Sequence, residues 1–415
     1  MILNFIKSTF LLVLITTLSC GNNPEAEKVL ATVQEYSQEK NPELVLGANR
    51  TEAYLPMLKD KKVGIVGNHT SIISIPSKQE SKESKYIHLV DSLMSLDVNV
   101  VKVFAPEHGF RGKADAGEVI KDGIDVKTGL PIVSLYGDNK KPSPQQLKGI
   151  DIMVFDIQDV GTRFYTYLST LHYVMEACAE NNIPLIVLDR PNPNGHYIDG
   201  PILEPQHKSF VGMHPVPVVH GLTFGEYAKM INGEEWLKND VKTDLTVIEM
   251  KNYAHDMQYD LPVKPSPNLP NAKSINLYPS LCFFEGTNVN AGRGTPHQFQ
   301  VFGSPFLDRD IYEYSYVPES NAGSKYPKHK GKTCYGKNLT DAERLSKINL
   351  KWLIEAYQNT ADKSEFFKPY FTKLAGTTKL QEQIEAGLTA KEIRESWEEG
   401  LAEYGEIRDK YLLYE

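Results

Sequence analysis

The sequence predicts a doubly wound α/β fold, a Rossmann-like parallel sheet with a second, smaller α/β domain, and three observations carry that expectation. Five short runs rich in Val, Ile and Leu recur in the first half of the chain, and each gives way within a few residues to polar or glycine-containing sequence. Segments with helical spacing lie between several of them. The runs are continuous rather than alternating, the pattern of strands covered by helices on both faces, as in a parallel sheet.

In order, the runs are 63–67, 98–104, 132–136, 150–155 and 184–188. Helical spacing marks 85–95, through Ile87, Val90, Leu93 and Met94, and 166–180, through Leu168, Leu171, Met175 and Cys178. Pro- and Gly-rich stretches at 191–217 and 262–279 predict long ordered loops or a boundary, with a helix at 223–237 between them. A Gly-rich segment then precedes helices expected at 339–359, 378–386 and 390–404. The expected division is a catalytic Rossmann-like domain over 43–265 and a smaller domain over 266–415.

Residues 1–19 read as an export signal, with Lys7 and a 10–15 apolar run too short to cross a bilayer. Leu18-Ser19-Cys20-Gly21 has the pattern of a bacterial lipoprotein cleavage site, with Cys20 as the acylated first residue of the mature protein; an ordinary secretory signal is the alternative. Residues 20–42 are polar and suit a flexible tether. A lipid-anchored protein of the cell envelope is expected, periplasmic or outer-membrane associated, touching the membrane through its anchor only.

Cys178, Cys282 and Cys334 are far apart with no CxxC pair, so neither a disulfide framework nor a zinc ribbon is expected. A net charge of -8 without a long basic run argues against nucleic acid as partner. No G-x-G-x-x-G, HExxH or G-x-S-x-G occurs, and the Gly331-Lys332-Thr333 triplet has Tyr326 where a P-loop needs glycine. Neither a cofactor nor a metal is expected.

Ligands of open parallel sheets bind beyond the carboxyl ends of the strands. Four such ends carry polar loops: Asn68-His69-Thr70, the 105–112 loop with Glu107, His108 and Arg111, the 156–163 loop with Asp156, Gln158, Asp159 and Arg163, and the 189–195 loop with Asp189, Arg190 and Asn192. With Tyr165 and Tyr167 they describe a crevice suited to a sugar, whose hydroxyls need donors and acceptors and whose ring faces stack on aromatic rings.

Glu107 is the first catalytic candidate. A carboxylic acid in a partly desolvated cleft holds its proton closer to neutrality and delivers it to a glycosidic oxygen; nearby Arg111 would tune it, or Glu107 merely pairs with Arg111 to hold the loop. Asp156 is a second candidate, or else a helix cap. Arg163 and Arg190 suit a carboxylate, or pair with neighbouring aspartates. The 284–295 stretch combines Glu285, Asn288 and Arg293 with three glycines, making Glu285 the best second carboxylate unless the run is only a chain of turns. Tyr253, His255 and Tyr259 read as packing residues.

These blocks together resemble the exo-β-N-acetylmuramidase family known as NamZ, the DUF1343-type glycoside hydrolases. They are Gly64-Ile65-Val66-Gly67-Asn68-His69-Thr70, Pro106-Glu107-His108-Gly109-Phe110-Arg111-Gly112, the run from Phe155 through Arg163 to Tyr167, Leu188-Asp189-Arg190-Pro191-Asn192-Pro193, and Glu285-Gly286-Thr287-Asn288 with Gly292-Arg293-Gly294-Thr295. The resemblance covers the chain from about residue 45 onward. It implies release of N-acetylmuramic acid from the non-reducing ends of peptidoglycan fragments, a cleft between a Rossmann-like domain and a smaller one, and catalysis by the glutamate that falls on Glu107. Muramic acid carries a lactyl carboxylate, for which arginine is a natural partner. The second catalytic role stays open between a protein carboxylate and the substrate's own acetamido group. Two other readings remain: a non-catalytic lipoprotein that binds muropeptides, and an esterase or amidase on the same fold.

Overall fold

The structure, a computed structural model, describes residues 43–75, 85–111 and 122–415. The expected signal, the tether, Cys20 and Gly112 lie outside the described residues.

Among the described residues the first half supplies β1 (Val63–Gly67), β2 (Ile72–Ile75), β3 (Lys85–His88), β4 (Val100–Ala105), β5 (Gly123–Ile124), β6 (Pro131–Ser134), β7 (Ile152–Asp156), β8 (Leu185–Leu188) and β9 (Leu245–Ile248). The main sheet has the order β5-β6-β4-β1-β7-β8-β9. All neighbours pair in parallel except β5, which joins β6 antiparallel at the edge. Ranked by position in the chain, the parallel strands read 3-2-1-4-5-6, the doubly wound order whose topological switch lies between β1 and β7. Every residue of β1, β7 and β8 is buried, which is why their sequences are unbroken apolar runs. Gly64 permits the tight fit of β1: a side chain there would meet Ile150 and Met153 at 2.9 Å.

Four local expectations change. The 85–95 segment divides into β3, paired antiparallel with β2, and a helix Leu89–Ser95, because Ile87 serves a strand while Val90 and Leu93 serve the helix. The 339–359 helix is confined to Leu350–Gln358, capped by the Asn349 side chain accepting from Lys351 N–H. The 390–404 segment forms two helices, Ala390–Glu395 and Glu398–Arg408. Finally, the end of the 262–279 stretch is helical: Ala272–Leu281 starts at an Asn271–Ser274 capping box and contains Pro279.

Beyond residue 280, β10 (Val301–Ser304), β11 (Tyr314–Tyr316) and β12 (Cys334–Asn338) form an antiparallel sheet in the order β10-β12-β11. One continuous hydrophobic cluster joins both halves, from Val66 and Phe155 of the main sheet through Phe283 and Phe302 to Trp397 and Tyr404.

Candidate active site

Glu107 stands at the carboxyl end of β4, where the chain turns sharply. His108 and Gly109 both adopt left-handed backbone conformations, with φ of 71° and 75°. For histidine this conformation is uncommon and costs energy, so the fold is holding the turn in place. Glu107 Oε2 accepts a 3.0 Å hydrogen bond from the Thr166 hydroxyl, and the Tyr136 hydroxyl, arriving from the end of β6, also bonds this carboxylate. The Tyr136 phenol is driven upward in pKa, first by burial and then by the charge of Glu107. Thr166 is the N-cap of the helix Tyr167–Glu180 but makes no side-chain capping bond. A cap hydroxyl normally accepts from a helix N–H; here it donates to Glu107 instead. Tyr167 donates to the Glu107 carbonyl at 3.1 Å and accepts from Asn68 Nδ2 at 2.9 Å, so the buried Asn68 fixes the tyrosine that fixes the glutamate backbone.

Glu285 enters from the second half, on the 3₁₀ turn Cys282–Gly286 that continues the helix Ala272–Leu281. Arg293 grips both its oxygens, Nε to Oε1 at 2.5 Å and Nη2 to Oε2 at 2.9 Å. From beneath, Lys328 donates to the carbonyls of Phe284, Thr287 and Val289, while burial pushes its ammonium down to about 8. A side chain at Gly286 would strike the backbone of Phe371, so glycine is what allows Tyr370 and its neighbours to close in on Glu285.

Glu107, His108, Tyr165, Tyr167, Glu285 and Arg293 line one cleft of about 630 Å³. Residues the sequence reading did not single out share it: Tyr136, Lys140, Phe164, Thr166, Phe210, Tyr278, Tyr370 and Lys373. The aromatic rings meet edge to face, Tyr165 on Tyr167 at 4.8 Å and Phe164 on Tyr278 at 5.3 Å, so flat apolar surfaces alternate with hydroxyls.

Other expected site residues lie elsewhere. Asp156 is fully buried and locked to Arg190 by bonds of 2.6 and 2.9 Å; neither lines the cleft. Arg163, also buried, donates to the carbonyls of Pro201, Val216, Leu374 and Ala375, and burial lowers its pKa to about 9. Arg111 does not attend Glu107: it bridges Asp91 at 3.1 Å and Asp125 at 2.7 Å. Gln158 bonds the carbonyls of Asp159 and Pro191, and Asp159 accepts from Gly161 N–H. Asp189 accepts from Thr223, Gly225 and Tyr414 at the start of the helix Phe224–Gly233, and burial raises its pKa to about 6. Asn192 ties Leu222 to Asn194. Asn288 lines a second cavity of about 470 Å³ that shares Glu285 with the main cleft. Among the described residues no group of three or more His, Cys, Asp or Glu side chains could hold a metal ion.

Two carboxylates in a tyrosine-walled cleft beyond the ends of a parallel sheet define a carbohydrate-active α/β enzyme of the glycoside hydrolase class. Residues 63–273 match the family described as exo-β-N-acetylmuramidase NamZ, N-terminal, and residues 276–414 its C-terminal counterpart. The chain therefore belongs to the NamZ family. It is 40% identical over 380 residues to the peptidoglycan β-N-acetylmuramidase NamZ of Bacillus subtilis strain 168, covering 87% of this chain and 89% of that protein. Two crystal structures of DUF1343-family proteins from Bacteroides fragilis share the fold, one at 45% identity with a TM-score of 0.80, the other at 29% with 0.74. Each alignment covers 90% of this chain and 99% of the other.

Proposed function

We propose that this protein is an exo-acting β-N-acetylmuramidase that releases N-acetylmuramic acid from the non-reducing ends of peptidoglycan fragments, with Glu107 as general acid and base. The observation that carries the assignment of Glu107 is its place in the cleft that also contains the Glu285–Arg293 pair, where Thr166 and Tyr136 hold its carboxyl group in position. Glu107 gives its proton to the glycosidic oxygen as the C1–O bond breaks, then takes one back from the water that adds to C1. The Glu285 carboxylate, oriented by Arg293, stabilises the positive charge that develops on the sugar ring.

The test is hydrolysis of 4-nitrophenyl β-N-acetylmuramide beside the matching β-N-acetylglucosaminide. The expected result is cleavage of the muramide alone, reduced on the order of 10²-fold or more in Glu107→Gln. Wild-type protein that cleaves neither compound but binds muramic acid would put the non-catalytic binding reading in its place.

The same reading includes attachment to the cell envelope through a lipid on Cys20, facing the periplasm or associated with the outer membrane. It is supported by the Leu18-Ser19-Cys20-Gly21 pattern and the polar segment that follows. Labelled palmitate carried by the protein and lost in Cys20→Ala is the expected outcome; label retained in the variant refutes it.

A further inference from the structure

N-acetylmuramic acid differs from N-acetylglucosamine by a lactyl ether that ends in a carboxylate, so an enzyme selective for it must offer that anion a partner. The arginines that suited the task in the sequence are committed. Arg163 serves four backbone carbonyls, Arg190 is locked to Asp156 and Arg111 to Asp91 and Asp125, while Arg293, though in the cleft, is taken up by Glu285.

Lys140 is differently placed. It is half-buried, lines the cleft, and holds Nζ 5.0 Å from the centre of the Phe210 ring. Among the described residues it forms no ion pair, whereas its neighbour Lys141 binds Glu176 at 2.6 Å and Glu180 at 2.7 Å. The local chain thus turns one lysine to the protein's own carboxylates and the next toward the cleft. Lys373, on the helix Phe371–Ala375, lines the same cleft from the other half and also forms no ion pair among the described residues. Leu203 Cδ1 packs against the backbone that follows Phe210 and the one that follows Lys373, 3.0 Å from where a side chain at Gly212 would start and 2.9 Å from one at Gly376. With Glu285 and Arg293 compensating each other, the described lining brings two lysines, Lys140 half-buried and Lys373 exposed, to one further carboxylate, Glu107, which is engaged by Thr166 and Tyr136. An ammonium resting against an aromatic ring gains a modest attraction from the ring face and keeps N–H donors for a ligand carboxylate.

The geometry points to Lys140, assisted by Lys373, as the residue that reads the lactyl carboxylate and so sets specificity for muramic acid; this rests on the function proposed above. The substrates for the test are 4-nitrophenyl β-N-acetylmuramide and its lactyl amide, which differ only in that charge. Wild-type protein is expected to prefer the acid by on the order of tenfold in kcat/KM, expressed in KM. In Lys140→Met the ratio of acid to amide falls toward one, Lys140→Arg restores it, and adding Lys373→Met removes the remainder. Equal losses on both substrates, or an unchanged ratio, would overturn the assignment. Should the wild type hydrolyse neither compound, the proposed function has failed, and calorimetry with free N-acetylmuramic acid and its lactyl amide reads the lysines by themselves. A preference for the acid that disappears in Lys140→Met sustains the inference; equal binding by wild type and variant, or no binding by the wild type, refutes it.

Discussion

Two bidentate arginine–carboxylate pairs sit at opposite ends of this molecule's chemistry. Asp156–Arg190 and Glu285–Arg293 have nearly the same contacts, each joining Nε and Nη2 to the two carboxylate oxygens. The first is sealed, with both side chains at 3% exposure or less; the second keeps about a quarter of each side chain open to the cleft. An ion pair closed on all sides has no room for a ligand, whereas a half-open one keeps the carboxylate, held in place by its arginine, within reach of what enters. The contacts alone do not separate scaffold from site; access does.

The sharpest way to break the comparison is to delete the acid from each pair. Asp156→Ala leaves a guanidinium buried without its partner and should cost about 3–5 kcal/mol of stability, read as a lowered urea midpoint. Glu285→Gln should leave stability within about 1 kcal/mol of wild type while lowering kcat/KM by about 10²-fold. Similar urea midpoints for the two variants would mean that the two pairs are not different in kind. Acid provides a smaller, graded test of the sealed interior. Burial lowers His172 from 6.5 to about 4, so the unfolded chain takes up a proton before the folded one does. The stability held above pH 6.5 is therefore lost as pH falls through 6.5 toward 4, by about 2 kcal/mol for this group at pH 5. Thermal unfolding at pH 7 and 5 should show the fall in wild type and a shallower one in His172→Gln; parallel curves would show that His172 does not report on the interior.

Much of the sheet was legible because burial on both faces writes itself as apolar runs. β1 has the predicted bounds, and the β7 and β8 runs lie within a residue or two of the predicted ones. β9 was not legible: Leu245-Thr246-Val247-Ile248 is an edge strand, mostly half-exposed and without the continuous apolar signal. For the cleft, Glu107 and Glu285 could be read from their dense polar surroundings, and both line it. Thr166, Tyr136 and Lys140 could not, because a threonine at a helix start reads as a cap and a tyrosine or lysine after a strand reads as surface. The roles of Tyr136 and Lys140 depend on β6 lying beside β4, and that of Thr166 on the helix after β7 starting near the end of β4, matters of strand order rather than of local sequence. Asp156 and Arg190 misled for the converse reason: charged residues at strand ends suggest a ligand site until the depth of the pair is known.

Arg163 has a mechanical consequence. Its guanidinium is tied to Pro201 and Val216 on one side and to Leu374 and Ala375 on the other. Any hinge-like parting of these segments would take two of its four acceptors from a buried cation. One buried side chain thereby acts as a rivet between the segment that carries Lys373 and the loops that follow the main sheet.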